Sequence, residues 1–228
     1  MRRLAQIFLL CLLVVSAGCR SLDKALFTVP DATLNPRLPV LEVAVDAKPL
    51  HASNGATPDD AQKLFQVELQ RNLMDAKDTT TYGTVRLHIT KATAKRTARG
   101  LHIFQLATLL TPAMLGIPIE YFRANAQAEL QIVDVKGNVI ASYKGKGDSK
   151  IRVAFYHGYS QKGAPRLADM EAVRQALNVI RPQLAADAGA LREQLILAKT
   201  AGIVTISDVP GSILNAPEPP AADSTKTK

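Results

Sequence analysis

Chemistry in a protein starts from a short list of side chains, and in this 228-residue chain that list is thin. There are two cysteines, Cys11 and Cys19, and four histidines, His51, His88, His102 and His157. The histidines are scattered, without the close spacing by which one element offers several ligands to a metal ion. The chain has no Gly-x-Ser-x-Gly elbow, no phosphate-cradling glycine loop and no His-Glu-x-x-His helix. The stretch Phe155 to Gly163 joins Tyr156, His157 and Tyr159 with two glycines, a composition that suits a mobile binding loop as well as ordinary surface. These residues name no catalytic group, no metal ligand and no cofactor. The expectation is a protein that is not an enzyme, with a hydrolase of unfamiliar design as the alternative.

Cys19 is the reactive group with a distinctive setting. Arg2 and Arg3 are followed by an apolar run from Ile7 to Val15, and Ser16, Ala17 and Gly18 stand directly before the cysteine. Charge, apolar run and small residues in that order make an export signal with its processing site. The run is too short for a permanent span, which takes about 20 apolar residues, and Arg20 closes it. Ser16-Ala17-Gly18-Cys19 resembles the lipobox of bacterial lipoproteins, with Ser16 where that motif prefers leucine. The resemblance implies diacylglycerol on the Cys19 thiol, removal of residues 1–18, and a mature chain held to a lipid bilayer by its acylated first residue. An ordinary cleaved signal and an uncleaved anchor are the other two readings. Removing residues 1–18 takes away Arg2 and Arg3 and no acid, so the formal charge of +8 falls by two. It also removes Cys11, which leaves one thiol and no possible intramolecular disulfide.

The elements that must carry any functional surface lie further on. Residues 19–37 contain Pro30 and Pro36 with little periodicity and are expected to be a tether. Leu41, Val43 and Val45 alternate with polar neighbours as in a half-buried strand. Thr57, Pro58 and Asp60 open a helix by cap, first-turn proline and acid, and Phe65, Leu69 and Leu73 give it an apolar face. Val85, Leu87 and Ile89 predict a strand whose pattern slips near Lys91, as at a bulge. Phe122 to Ile132 and Val139 to Tyr143 predict a long hairpin turning at Lys136, Gly137 and Asn138. Its alternate alanines leave room for a helix. Met170, Val173, Leu177, Ile180 and Leu184 keep helical spacing, with Pro182 expected to kink or split the helix. Residues 200–228 read as a C-terminal extension, disordered at least from 215. The expected fold of residues 38–199 is α+β, an antiparallel sheet of about four strands with helices on one face.

This order of elements behind a lipobox is similar to the small periplasmic domains of YajG-type, LpoB-type and CsgG-like outer-membrane lipoproteins. The resemblance implies a non-enzymatic envelope protein that binds or assists assembly, held in the outer membrane and facing the periplasm. A subunit of a secretion pore is a further alternative, although the alanine-rich row of the hairpin lacks the lipid-facing alternation of a membrane barrel.

Two stretches then stand out as surfaces. From Leu101 to Ile119 the chain has no formal charge if His102 is neutral, and it lies between two strands, where a turn is ordinarily polar. Its candidate contact residues are Leu101, Ile103, Phe104, Leu106, Leu109, Leu110, Met114, Leu115 and Ile117. A helical hairpin packed on the domain, a loop meeting membrane or partner, and a true span are the three readings; Pro112, Gly116 and Pro118 count against the span. The second stretch is basic. Arg86, Lys91, Lys95, Arg96 and Arg99 on one strand, with Arg123, Lys144, Lys146, Lys150 and Arg152 on the hairpin, form either a solvated face that keeps a sheet from pairing with another chain or a site for anions. Lipid headgroups, lipopolysaccharide phosphates and peptidoglycan carboxylates are the anions an exported protein meets. Nucleic acid is not expected, because export separates the chain from it and interleaved aromatic residues are sparse.

Overall fold

The computed structural model describes residues 21–75, 80–155 and 158–207. The expected signal, Cys19 itself, Tyr156, His157 and the tail from residue 208 lie outside the described residues. The chain is an α+β protein. Its elements run α1 (Leu22–Phe27), β1 (Glu42–Asp46), a 3-10 turn (Lys48–Ala52), α2 (Pro58–Glu68) closing in a π turn (Leu69–Leu73), β2 (Gly83–Thr97), α3 (Arg99–Ala107), α4 (Thr111–Met114), β3 (Glu120–Asp134), β4 (Val139–Val153) and α5 (Gly163–Ser207).

The four strands form one sheet in the order β1-β2-β3-β4. It is mixed rather than antiparallel throughout, because β1 pairs parallel to β2. The reason is the connection: α2 lies between these strands and returns the chain to the starting end, as a crossover helix does. The β2–β3 and β3–β4 pairs are antiparallel, the latter closed by a turn in which the Asp134 carboxylate accepts from the backbone N–H groups of Lys136 and Asn138, 2.8 Å each. The pattern slip on β2 is a register shift between Ile89 and Lys91.

One face of the sheet carries the core. Val85, Leu87, Ile89, Ala124, Ala126, Ala128, Leu130, Ile132 and Tyr143 are buried against Leu64 and Phe65 of α2 and Met170, Val173, Leu177 and Ile180 of α5. α2 starts at the Thr57 capping box, in which the hydroxyl accepts from the Asp60 N–H and the Asp60 carboxylate accepts from the Thr57 N–H. α5 approaches β4 through glycines and alanines. A Cβ on Gly147 would stand 2.0 Å from the Ala172 carbonyl oxygen, and one on Gly145 2.2 Å from that of Ala176.

α5 also departs from expectation. It runs unbroken through Pro182 and past residue 199 to Ser207, into the stretch read as an extension. Proline removes the donor to the carbonyl of residue 178, but Asn178 and Pro182 are both exposed, so the lost bond falls on the solvent side of the helix, where it costs least.

The proposed tether is a second departure, since from residue 21 onward it is folded onto the body. Leu26, Val29 and Leu34 are buried in the common core. Arg174 of α5 donates to the carbonyls of Ala25 and Leu26, both at 2.9 Å, and Asn72 binds both the Ala32 N–H and the Pro30 carbonyl. Prolines and weak periodicity describe an irregular segment here, not a free one.

Asp169 on α5 is buried, accepting from the Ser53 hydroxyl and the Ala56 N–H at 3.0 Å. Burial pushes its carboxyl above the usual aspartate range, and the two hydrogen bonds only partly offset this. Asp60 is shifted the other way: burial alone would raise it, but Arg166 and Thr57 outweigh that and hold it down. A raised folded value means that the native state holds the Asp169 proton more tightly than the unfolded chain does. That contribution is complete below the unfolded aspartate pKa, about 3.9, and is lost as pH rises through the folded value. Asp169→Asn is therefore expected to gain stability relative to the parent as pH rises from 4 to 7. Urea melts at the two pH values measure it; a difference constant with pH contradicts the assignment.

Candidate functional site

β2 and β3 are joined by residues 98–119, and this connection does not fold back on the body. α3 and α4 form a short tip beyond the end of the sheet. Leu109 is 89% and Leu115 81% exposed, and Ile103, Phe104, Leu106, Met114 and Ile117 are also exposed, with Leu101 and Leu110 half-buried. The packed-hairpin reading is thereby corrected: α3 meets α4 and β3, and the described residues of the body leave its apolar side chains uncovered. The span reading is corrected too, since the helices here have nine and four residues. Among the described residues no helix is long and apolar enough to cross a membrane.

The tip is nevertheless held at its base. Gln105 is fully buried and donates to the Pro118 carbonyl at 2.7 Å. Glu120, also fully buried, pairs with Arg96, and Arg152 donates to the Gly116 carbonyl. Leu109 and Leu110 both have positive φ, 49° and 60°, a sharp reversal that non-glycine residues rarely adopt and that thrusts Leu109 outward. The sequence reading missed Gln105 and Glu120. Their only signal is a lone amide inside the uncharged stretch and the acid that ends it.

Among the described residues no helix lies on the second face of the sheet. Arg86, Lys91, Lys95, Arg123, Lys144, Lys146, Lys150 and Arg152 stand on it and are exposed, while Arg99 begins α3 instead. Arg96 does not belong to it, because the bulge places it on the inner side with Glu120. Within the face the charge is uneven. Lys144 pairs with Glu129 at 3.6 Å, and Arg86 stands in a row with Gln131 and Ser142.

Lys95, Arg123 and Lys150, by contrast, are directly opposite one another across β2, β3 and β4. Among the described residues none of the three is in an ion pair. Like charges opposed across strands repel, so this row gains when an anion lies on it. An open depression of about 400 Å³ beside it is lined by Arg123, Asn125, Asp148, Ser149 and Lys150. The next row toward the tip is Thr97, Tyr121 and Arg152, where the Lys150 ammonium lies 4.4 Å from the centre of the Tyr121 ring. The densest basic rows thus adjoin the apolar tip.

The first described residues lie at the same end. Leu22 packs against Gly163 at the beginning of α5, Ser21 and Lys24 flank Tyr159, and Tyr159 bridges to Val153 at the end of β4. Val153 pairs with Glu120 at the root of the tip. Apolar tip, basic rows and residue 21 therefore share one end of the molecule, while the β3–β4 turn occupies the other.

Among the described residues no group of histidine, cysteine, aspartate and glutamate is gathered as metal ligands are. His88 is half-exposed, 3.5 Å from the Asp46 carboxylate, and His102 sits at the root of the tip. No family model matches the chain, and a search of curated protein sequences returns no match.

Proposed function

We propose that this chain is an exported lipoprotein of the bacterial cell envelope, anchored through acylated Cys19 and working as a non-enzymatic binding or assembly-accessory module. The outer membrane, with the domain in the periplasm, is the expected site. The observation that carries the reading is the convergence at one end of the fold. The chain from Cys19 to Ser21 spans at most about 7 Å, so an acyl group on Cys19 holds a bilayer beside the end where the uncovered apolar tip and the basic rows stand. A cytosolic domain has little reason to leave such a tip bare. The part of the basic sheet face further from the tip, with Lys91 and Lys146, then looks into the envelope space, where anionic polymers and partner proteins are found.

The test is metabolic labelling with a clickable fatty acid. The parent is expected to carry the label and to sediment with membranes, and Cys19→Ser to lose both the label and signal removal. An unlabelled parent overturns the lipoprotein reading.

A further inference from the structure

We infer that the tip is a second membrane contact. Phe104, Leu109 and Leu115 enter the interface of an anionic phospholipid bilayer, while Lys95, Arg123 and Lys150 take the lipid phosphates. The inference deepens the anchored-lipoprotein reading and rests on it for the nearness of a bilayer.

Three observations select a lipid surface over a protein groove. The tip projects beyond the end of the sheet instead of lining a cleft, which suits a planar apolar phase. Its apolar side chains point away from α3 and α4 while the polar ones, Gln105, Thr108 and Thr111, donate to the chain's own carbonyls, so the exposed surface of the apex is dominated by apolar groups. Immediately behind the apolar apex come an aromatic ring, Tyr121, and the row of three cations, which outnumber the single carboxylate beside them, Asp148. Apolar apex, aromatic ring, then basic row is the order that a bilayer presents to an entering element: acyl chains, the interfacial belt, then the phosphates.

The geometry also divides the basic residues. Lys146 stands four residues before Lys150 on β4, about 13 Å further from the tip at strand rise. That exceeds the screening length at physiological salt, about 8 Å. Lys144 and Arg86 lie further still. Only the rows of Lys95 and Arg152 fall in the headgroup zone, and the other basic residues stay free for the envelope space. With the acyl group at the same end, the two contacts fix direction. The strands, about 50 Å long for fifteen residues, stand away from the membrane with the β3–β4 turn outermost.

The chain has no tryptophan, so one introduced indole reports alone. Phe104→Trp and Leu115→Trp, both at exposed positions, and Val135→Trp in the distal turn as control, are purified in acylated form and reconstituted into vesicles of phosphatidylglycerol and brominated phosphatidylcholine. Quenching is expected at 104 and 115 and not at 135, weakening as salt is raised. Each of Lys95→Gln, Arg123→Gln and Lys150→Gln should reduce the inserted fraction roughly fivefold, the effect of one cation at an anionic surface. Arg86→Gln and Lys144→Gln should leave it unchanged. A parallel measurement needs no substitution: a photoactivatable phospholipid in the same vesicles should crosslink to the parent within residues 101–117.

Acylated protein whose tip tryptophans are unquenched and whose tip takes no lipid crosslink overturns the inference. So does quenching that is equal in pure phosphatidylcholine and indifferent to the three cation substitutions. Fatty-acid labelling of Cys19 is scored separately, so a labelled protein with an idle tip loses only the second contact, and an unlabelled protein with a quenched tip loses only the anchor.

Discussion

Gly147→Val is expected to prevent stable folding, costing more than about 4 kcal/mol, which lies beyond the usual range for one substitution and is a large share of a domain's total stability. The cause is backbone against backbone. The new Cβ would lie 2.0 Å from the Ala172 carbonyl oxygen and 2.6 Å from the Ala176 nitrogen, and neither atom can rotate away as the end of a side chain can. Valine otherwise suits a strand better than glycine does, by up to about 1 kcal/mol, so local preference opposes the predicted loss and is overwhelmed. Relief requires α5 to lift from β4 along its length, which uncovers Met170, Val173 and Ile180, all fully buried now. Lys146→Ala, one residue away with its side chain on the opposite face, should stay within about 0.5 kcal/mol of the parent. Urea unfolding followed by far-ultraviolet circular dichroism measures both. Near-parental stability of Gly147→Val would mean that α5 and β4 are not in contact at this pair.

That contact shows where the sequence was informative and where it fell short. Period-two alternation in Val85 to Ile89 and Phe122 to Ile132 marked the inner face correctly, because burial on one side of a pleat leaves that trace in every strand. The cap at Thr57, the hairpin turn and the slip near Lys91 were legible for the same kind of reason, each being decided by residues within a few positions of one another. Small inner-face residues hinted at close helix packing, although the glycines that set its distance were not singled out.

What was not legible depends on residues far apart in sequence. The direction of β1 follows from where α2 returns the chain, which alternation does not encode. Residues 22–37 have little periodicity of their own, and their place is set by Asn72, Arg174 and core side chains of other elements. Of the basic residues, the pattern could name those facing outward, but only the strand register puts Lys95, Arg123 and Lys150 opposite one another. The bulge moved Arg96 to the other side, where it meets Glu120. Exposure of the 101–117 segment likewise needed the structure, since an uncharged run reads the same whether something covers it or not.

Arg181→Ala is expected to cost about 3 to 5 kcal/mol, the range for removing one partner of a buried ion pair. Arg181 Nε and Nη2 both donate to the same Glu68 oxygen, at 3.0 and 2.6 Å, and the Asn72 amide donates to the other at 3.1 Å. Both side chains are largely enclosed, Glu68 at 5% and Arg181 at 15% exposure, so water cannot replace the lost guanidinium. The network also ties three parts of the chain together, since Asn72 continues to the Ala32 N–H and the Pro30 carbonyl. Loss at Arg181 should therefore loosen residues 29–34 along with α5, which hydrogen exchange reads as faster exchange at Ala32 and Leu34. The double variant Glu68→Met with Arg181→Met separates charge from packing. It removes both charges and keeps apolar volume, so it should recover most of the loss, as buried pairs replaced whole often do. A double variant no better than Arg181→Ala would show that the pair is needed as a pair, through the hydrogen bond from Asn72.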